Sequence, residues 1–232
     1  TPDTYSLIQQ AIELCQLSEG GFDVTFQPLQ DLYGFETGEY HVPDLQEIEQ
    51  AKLLVGYEKI VFNQPDQTVY LPYPGMKINC SGLIKGIVLD RIHLLLNSKG
   101  MNSYTLNFGG NLYVQSNQEE KIGIKSPYNN DMVKVIPLHT GFVSTSSNGE
   151  QYFIQNEKRY SHIVNPLTGS AESSNDSVTI ISNSGLLSDF LSTYCYLLPA
   201  EKADQFISQH YPETGLFVIK NHQIILEKVP EF

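Results

Sequence analysis

Between Lys121 and Ile163 the chain passes through one β-prone segment after another, with no helical period among them. Ile122–Ile124, Val133–Leu138, Phe142–Thr145, Tyr152–Ile154 and Tyr160–Val164 carry the β-branched and aromatic residues of strands. Helical patterns lie on either side of this block. Leu7, Ile8, Ala11, Ile12, Cys15 and Leu17 are spaced for a helix over 5–18, which Gly20 and Gly21 stop. Pro43 followed by Asp44, Glu47 and Glu49 predicts a helix to about Val55, with the proline in its first turn. Ile87, Leu89, Ile92, Leu95 and Leu96 predict another, ending near Gly100, and Gly185–Leu198 and Ala200–His210 two more. A short apolar strand is expected within Gly20–Phe35, and others at Lys59–Phe62, Thr68–Leu71, Tyr104–Phe108, Leu112–Gln115 and Ser177–Ile181. Gly215–Ile219 and Gln223–Glu227 read as a hairpin turning at Asn221. Helices and strands thus come in mixed runs rather than in regular βαβ alternation. That pattern predicts an α+β fold with mixed or antiparallel sheets flanked by helices, not a doubly wound sheet. Without a repeat or a linker, 1–232 reads as one domain.

Charge narrows the classes of partner. Fourteen Lys and Arg stand against 26 Asp and Glu, a formal net charge of -12, which argues against nucleic acid bound by phosphate neutralisation. A nucleotide is still allowed, since it needs only a few local donors and a metal. Cys15, Cys80 and Cys195 form no CxxC or Cys/His cluster, so reduced and mostly buried thiols are expected, not a disulfide or a zinc site. Nothing reads as a signal peptide or membrane span. The chain opens at Thr1, so an upstream segment is expected to have been removed or left out, and the compartment stays open.

The chemistry concentrates in two stretches. SDFLST, Ser188 to Thr193, places a carboxylate and a hydroxyl four residues apart on a helix, so Asp189 and Thr193 share a side. Both are oxygen ligands of the kind Mg²⁺ takes. An exposed helix face is the plain alternative, but Leu186, Leu187, Phe190, Leu191, Tyr194 and Tyr196 make the helix a buried one, and a buried aspartate needs a cation or several donors. KRYSHIVNPLTG, Lys158 to Gly169, sets His162 on a strand that runs into a Pro-x-Thr-Gly turn. It is either a hydrogen-bonded structural histidine or one held at a strand end for catalysis. Lys85, after the turn Ser81-Gly82, sits at the start of a helix whose free N–H groups suit phosphate, although SGLIKG lacks the P-loop spacing. Gly109 and Gly110 form a hairpin turn that also permits close backbone approach to a ligand.

In order along the chain, GGFDVTFQPLQDLYGF, PGMKINCSGLIKGIVLD, LNFGGNLYV, STSSNGEQYF, KRYSHIVNPLTG and SDFLST resemble the ApbE-type FAD:protein FMN transferases. The likeness runs from about Gly20 to the C-terminus. It implies an Mg²⁺-dependent enzyme that cleaves FAD, attaches FMN to a Ser or Thr hydroxyl of an acceptor protein, and releases AMP. Under that resemblance Gly21, Phe22 and Asp23 lie against the flavin nucleotide, Asn79 and Lys85 serve the lysine loop, and Gly109, Gly110 and Asp176 join the nucleotide-binding set. The metal falls to the Gly82 carbonyl, Asp189 and Thr193, and the acid–base role to His162 or Asp189. The chain departs from the family pattern at Tyr33 for Trp, Asn79 and Asn165 for Asp, and Ser147 for Gly. Much of the family's usual N-terminal segment is expected to be absent. A non-catalytic flavin-binding protein and an FAD pyrophosphatase giving FMN and AMP are the alternatives. The family also implies a bacterial, extracytoplasmic, membrane-associated setting, with a possible tether upstream.

Overall fold

The computed structural model describes residues 1–129 and 131–230. The chain divides into two compact units, each discontinuous in sequence. The first comprises Thr1–Cys80 and Gln151–Glu172. Helix α1 (Pro2–Leu17) opens it, with Thr1 capping and Pro2 inside the first turn, where its missing N–H has no helical partner to lose. Gly20 follows at φ 77°. The apolar strand expected next is absent: residues 21–26 form turns that lead into α2 (Gln27–Leu32). The cause is Asp23, whose Oδ1 accepts from the N–H and hydroxyl of Thr25 at 2.8 and 2.7 Å and so closes an Asx turn that no extended strand can hold.

Helix α3 (Leu45–Lys52) begins two residues past Pro43, which lies outside its first turn, because Asp44 and Glu47 form a reciprocal capping box. Its last turn stops three residues short of Val55. A hairpin of β1 (Val61–Asn63) and β2 (Thr68–Tyr70) follows. The unit's core gathers Leu29, Tyr33, Phe35, Ala51, Phe153, Tyr160, Val164 and Ala171. Tyr33 is buried and ties two segments together, donating to the Gly169 carbonyl at 2.8 Å and accepting from the Ala171 N–H at 3.2 Å.

The second unit comprises Ser81–Glu150 and Ser173–Phe232. Its centre is a six-stranded sheet made of β3 (Tyr104–Phe108), β4 (Asn111–Lys125), β5 (Met132–Ser147), β8 (Ser177–Ser182), β9 (Gly215–Lys220) and β10 (Gln223–Lys228). Their order across the sheet is β10-β9-β8-β5-β4-β3, and every neighbouring pair is antiparallel. In the first unit β6 (Tyr152–Gln155) and β7 (Lys158–Ser161) form a separate antiparallel hairpin. Three helices complete the second unit: α4 (Ser81–Ser98), α5 (Gly185–Leu197) and α6 (Ala200–His210). The α+β class therefore holds.

Two pairs of expected strands are fused. Leu112–Gln115 and Ile122–Ile124 belong to the single long β4, and Val133–Leu138 and Phe142–Thr145 to β5. A register shift between Gln115 and Glu120 breaks the pattern of alternation, which is why the sequence reads as two strands. Beyond that shift Ile122, Ile124, Ile136 and Leu138 pack into one cluster with Val114, Val143, Ile181, Phe217 and Ile219. On the opposite face Tyr113 and Phe142 pack with Leu89 of α4.

Candidate active site

The site in the second unit is built on α5. Ser184 caps this helix by accepting from the Leu187 N–H at 3.3 Å. Asp90 of α4 adds a second cap, its two oxygens accepting from the N–H groups of Gly185 and Leu186, both at 2.8 Å. Four orphan donors open every helix, and here three of them are satisfied by side chains. The helix that carries Asp189 and Thr193 is thereby fixed at its start to α4.

One turn before Asp90 on α4, and at the first residue of α5, the two helices meet at glycines. A β-carbon on Gly86 would stand 2.0 Å from the Gly185 carbonyl oxygen, and one on Gly185 would stand 2.3 Å from that of Gly86. Only hydrogen fits there. The close approach brings the backbone of α4 to the Asp189 carboxylate, whose Oδ2 accepts from the Gly86 N–H at 3.0 Å. In an undisturbed helix that N–H bonds to the carbonyl of Gly82. Oδ1 accepts from Asn111 Nδ2 at 2.8 Å. Asp189 is 3% exposed, and no ion pair to it occurs among the described residues. Burial pushes its carboxyl above the ordinary range, against the opposing pull of the Gly86 N–H, the Asn111 amide and the Lys85 charge.

Thr193 lies one turn on from Asp189, half-buried. Its Oγ1 is 3.2 Å from Ser146 Oγ, which also lies 3.1 Å from Ser192 Oγ. Ser144 and Ser188 make a parallel contact at 2.8 Å. These hydroxyl pairs fix the rotation of α5 against β5, so that Asp189 and Thr193 face a common side. The turn expected at Ser81-Gly82 is instead the first turn of α4, which begins at Ser81, so Lys85 is half-buried in the second turn of that helix. Its Cδ would be 3.3 Å from a β-carbon on Gly109. Gly109 and Gly110 have φ of 58° and 91°, and the turn is closed by Asn107 Oδ1 accepting from the Gly110 N–H. A bare turn thus runs past the lysine stem. Asp176, ahead of β8, spends its carboxylate on Asn148 Nδ2 and the Asn221 N–H, a joint between the end of β5 and the β9–β10 turn.

The remaining candidates belong to the first unit. Gly21 and Phe22 are buried, with Phe22 held by the Ser18 hydroxyl. Asp23 accepts through Oδ2 from the Tyr57 N–H at 2.9 Å, and Thr25 Oγ1 from the Gly56 N–H at 2.7 Å. The carboxylate therefore faces inward and shapes the turn. Burial holds it above its usual range. Asn79 donates its N–H to the Val24 carbonyl at 2.7 Å and its amide to Gln27 Oε1.

His162 lies past the end of β7, which stops at Ser161, and not on a strand continuing to Val164. The break comes where its own N–H turns to the Gln151 carbonyl at 3.0 Å. Its carbonyl accepts from Gln30 Nε2 at 2.6 Å, so the backbone is gripped from two sides. Nδ1 lies 3.2 Å from the Gln151 carbonyl oxygen. A carbonyl only accepts, so Nδ1 carries the proton and the basic lone pair belongs to Nε2.

Asn111, Asp90, Gly86 and Ser146 are functional neighbours that sequence reasoning passed over. Two of them left a signal. A glycine inside a helix costs about 1 kcal/mol relative to alanine, so Gly86 needed a packing reason. Asn111 directly follows the Gly109-Gly110 turn, and a strand-opening asparagine with 1% exposure needs partners. Asp90 and Ser146 left none.

Toward the cation that the resemblance implies, α5 offers the Asp189 carboxylate and the Thr193 hydroxyl. Among the described residues no group of three or more His, Cys, Asp or Glu gathers. This suits Mg²⁺, which takes oxygen ligands, keeps several waters and is often completed by substrate phosphates, and it does not suit zinc.

The family model described as the ApbE family matches residues 1–218. An FAD:protein FMN transferase of Klebsiella pneumoniae is 29% identical over 225 residues, spanning 96% of this chain and 71% of the relative. Another, of Vibrio cholerae, is 28% identical over 208 residues, with 86% and 62% covered. Among solved structures, the ApbE protein of Thermotoga maritima superposes with a TM-score of 0.88 at 30% identity, over 99% of this chain and 76% of that one. The chain thus spans part of the length of each.

Proposed function

The chain belongs to the ApbE family, and from that membership we propose that it is an FAD:protein FMN transferase, cleaving FAD and joining FMN to an acceptor protein with release of AMP. The observation that carries the reading is Asp189: a carboxylate 3% exposed, held by two donors, with no ion-pair partner among the described residues. Such a group is costly in the fold unless a ligand uses it.

We assign Mg²⁺ to Asp189, Thr193 and the Gly82 carbonyl, whose usual helical donor is engaged at Asp189. When bound, the cation would neutralise pyrophosphate oxygens and the charge developing on the departing AMP. Phosphoryl transfer asks the protein mainly for placement and charge, and the remaining residues fit that demand. Lys85 supplies a positive charge beside the bare Gly109-Gly110 turn, where backbone and phosphate can come close. His162 is assigned the base: its tautomer puts the basic lone pair on Nε2, while Asp189 in this reading is committed to the cation. The acceptor is a protein bearing a Ser or Thr hydroxyl. An extracytoplasmic, membrane-associated setting rests on family likeness alone.

The test is transfer to an acceptor domain, read as in-gel flavin fluorescence with FAD, with and without Mg²⁺. Fluorescent acceptor is expected only with Mg²⁺, and Asp189→Ala abolishes it while leaving the fold intact. FMN and AMP without labelled protein would make the chain a pyrophosphatase. FAD retained unchanged with or without Mg²⁺ would make it a flavin carrier.

A further inference from the structure

We propose that Asn111 is a positioning residue for the metal: its amide sets the rotation of the Asp189 carboxylate and so the direction of the lone pairs left for Mg²⁺. The inference rests on the reading of Asp189 as a metal ligand. A carboxylate on a helix rotates about χ2 with little cost, and a single hydrogen bond leaves that rotation loose. Here two donors arrive from two different elements. The Gly86 N–H belongs to α4 and takes Oδ2, while the Asn111 amide belongs to β4 and takes Oδ1, at 3.0 and 2.8 Å. That pair, with the neighbouring Lys85 backbone of α4, defines the plane of the carboxylate. The peptide donor is part of a helix and cannot be removed by substitution, so Asn111 is the side chain through which the aim can be changed.

The placement of Asn111 is itself rigid. It is 1% exposed, it opens β4 directly after the Gly109-Gly110 turn, and it pairs with Phe108 across the hairpin. The same turn lies against the stem of Lys85. One hairpin therefore sets both the carboxylate for the cation and the space beside the lysine. Supporting groups of this kind around a metal commonly govern affinity by tenfold to a hundredfold, about what loss of a hydrogen bond to a charged group removes.

The test uses Asn111→Leu, nearly the same volume without the donor, and Asn111→Ser, which is smaller and tolerated at a strand start. Mg²⁺ binding is measured calorimetrically and Mn²⁺ binding by electron paramagnetic resonance, both on the full chain without FAD. Both variants are expected to fold with unchanged circular dichroism and to bind either cation roughly tenfold more weakly. At saturating Mg²⁺ the KM for FAD should stay near the wild-type value while the Mg²⁺ concentration for half-maximal transfer rises. A purely structural asparagine would move thermal stability without moving metal affinity, and that result overturns the proposal. Wild-type protein that binds no cation, or Asp189→Ala that binds it normally, would instead overturn the reading of the site on which it rests. If Asn111→Leu does not fold, Asn111→Ser with wild-type metal affinity is enough to reject the role.

Discussion

At the scale of single residues, the burial of Asp189 has a consequence in pH. Its carboxyl is raised in the folded protein, chiefly by desolvation. A raised acid favours the fold at low pH, and that contribution is lost as pH rises through the folded value. Ionising this buried group costs the metal-free protein stability, and a cation bound there, as proposed, would offset that cost. If Asp189 holds the proposed cation, protons displace it as pH falls through the raised value, and affinity drops up to about tenfold per unit. The rise in melting temperature on adding Mg²⁺ should therefore be largest on the alkaline side of the raised carboxyl and shrink as the solution is made acid. An equal rise at both ends would argue against Asp189 as a ligand. His162 shows the other limit of residue-level reading. Its neighbours along the chain suggest a strand histidine; its tautomer depends on Gln151, eleven residues away on the facing strand's approach. That contact exists only after the hairpin has formed.

The elements obey rules that are mostly local, and their ends were legible for that reason. Helices α5 and α6 lie within a residue of the spans their periodicity predicts, and the turn at Asn221 falls where asparagine tolerates its φ of 50°. The failures come where a local bond or a register shift intervenes, as at the Asx turn of Asp23 and the irregularity between Gln115 and Glu120. The crossing of α4 on α5 makes two predictions. Gly86→Ala should destabilise by about 2 kcal/mol or more, because a β-carbon there meets the Gly185 carbonyl, and metal binding should weaken with it. Asp90→Ala removes two charge-assisted bonds at the start of α5 and should cost about 1–2 kcal/mol, read from urea unfolding. Wild-type stability in either variant would mean that the helices are held by other contacts.

At the scale of the molecule, every donor proposed for Mg²⁺ lies in the second unit, and so does Cys195, while Cys15 lies in the first. Both thiols are buried, and burial pushes both far above the ordinary thiol range, so neither should react with a thiol reagent in the native protein. In mild urea, Mg²⁺ should slow labelling of Cys195 more than that of Cys15. Equal protection would mean that the two units open together. The class of fold, the spans of α5 and α6, and the placing of Asp189 and Thr193 four residues apart on one helix were legible in sequence alone, because each depends on spacing within a few residues. What the tertiary structure decided is the surroundings of those groups. Asn111, Gly86 and Asp90 reach their partners across 78, 103 and 95 residues, and no local period records such distances. Their roles come into being when α4, α5 and β4 pack, since only packing brings a peptide N–H and an amide to one buried carboxylate.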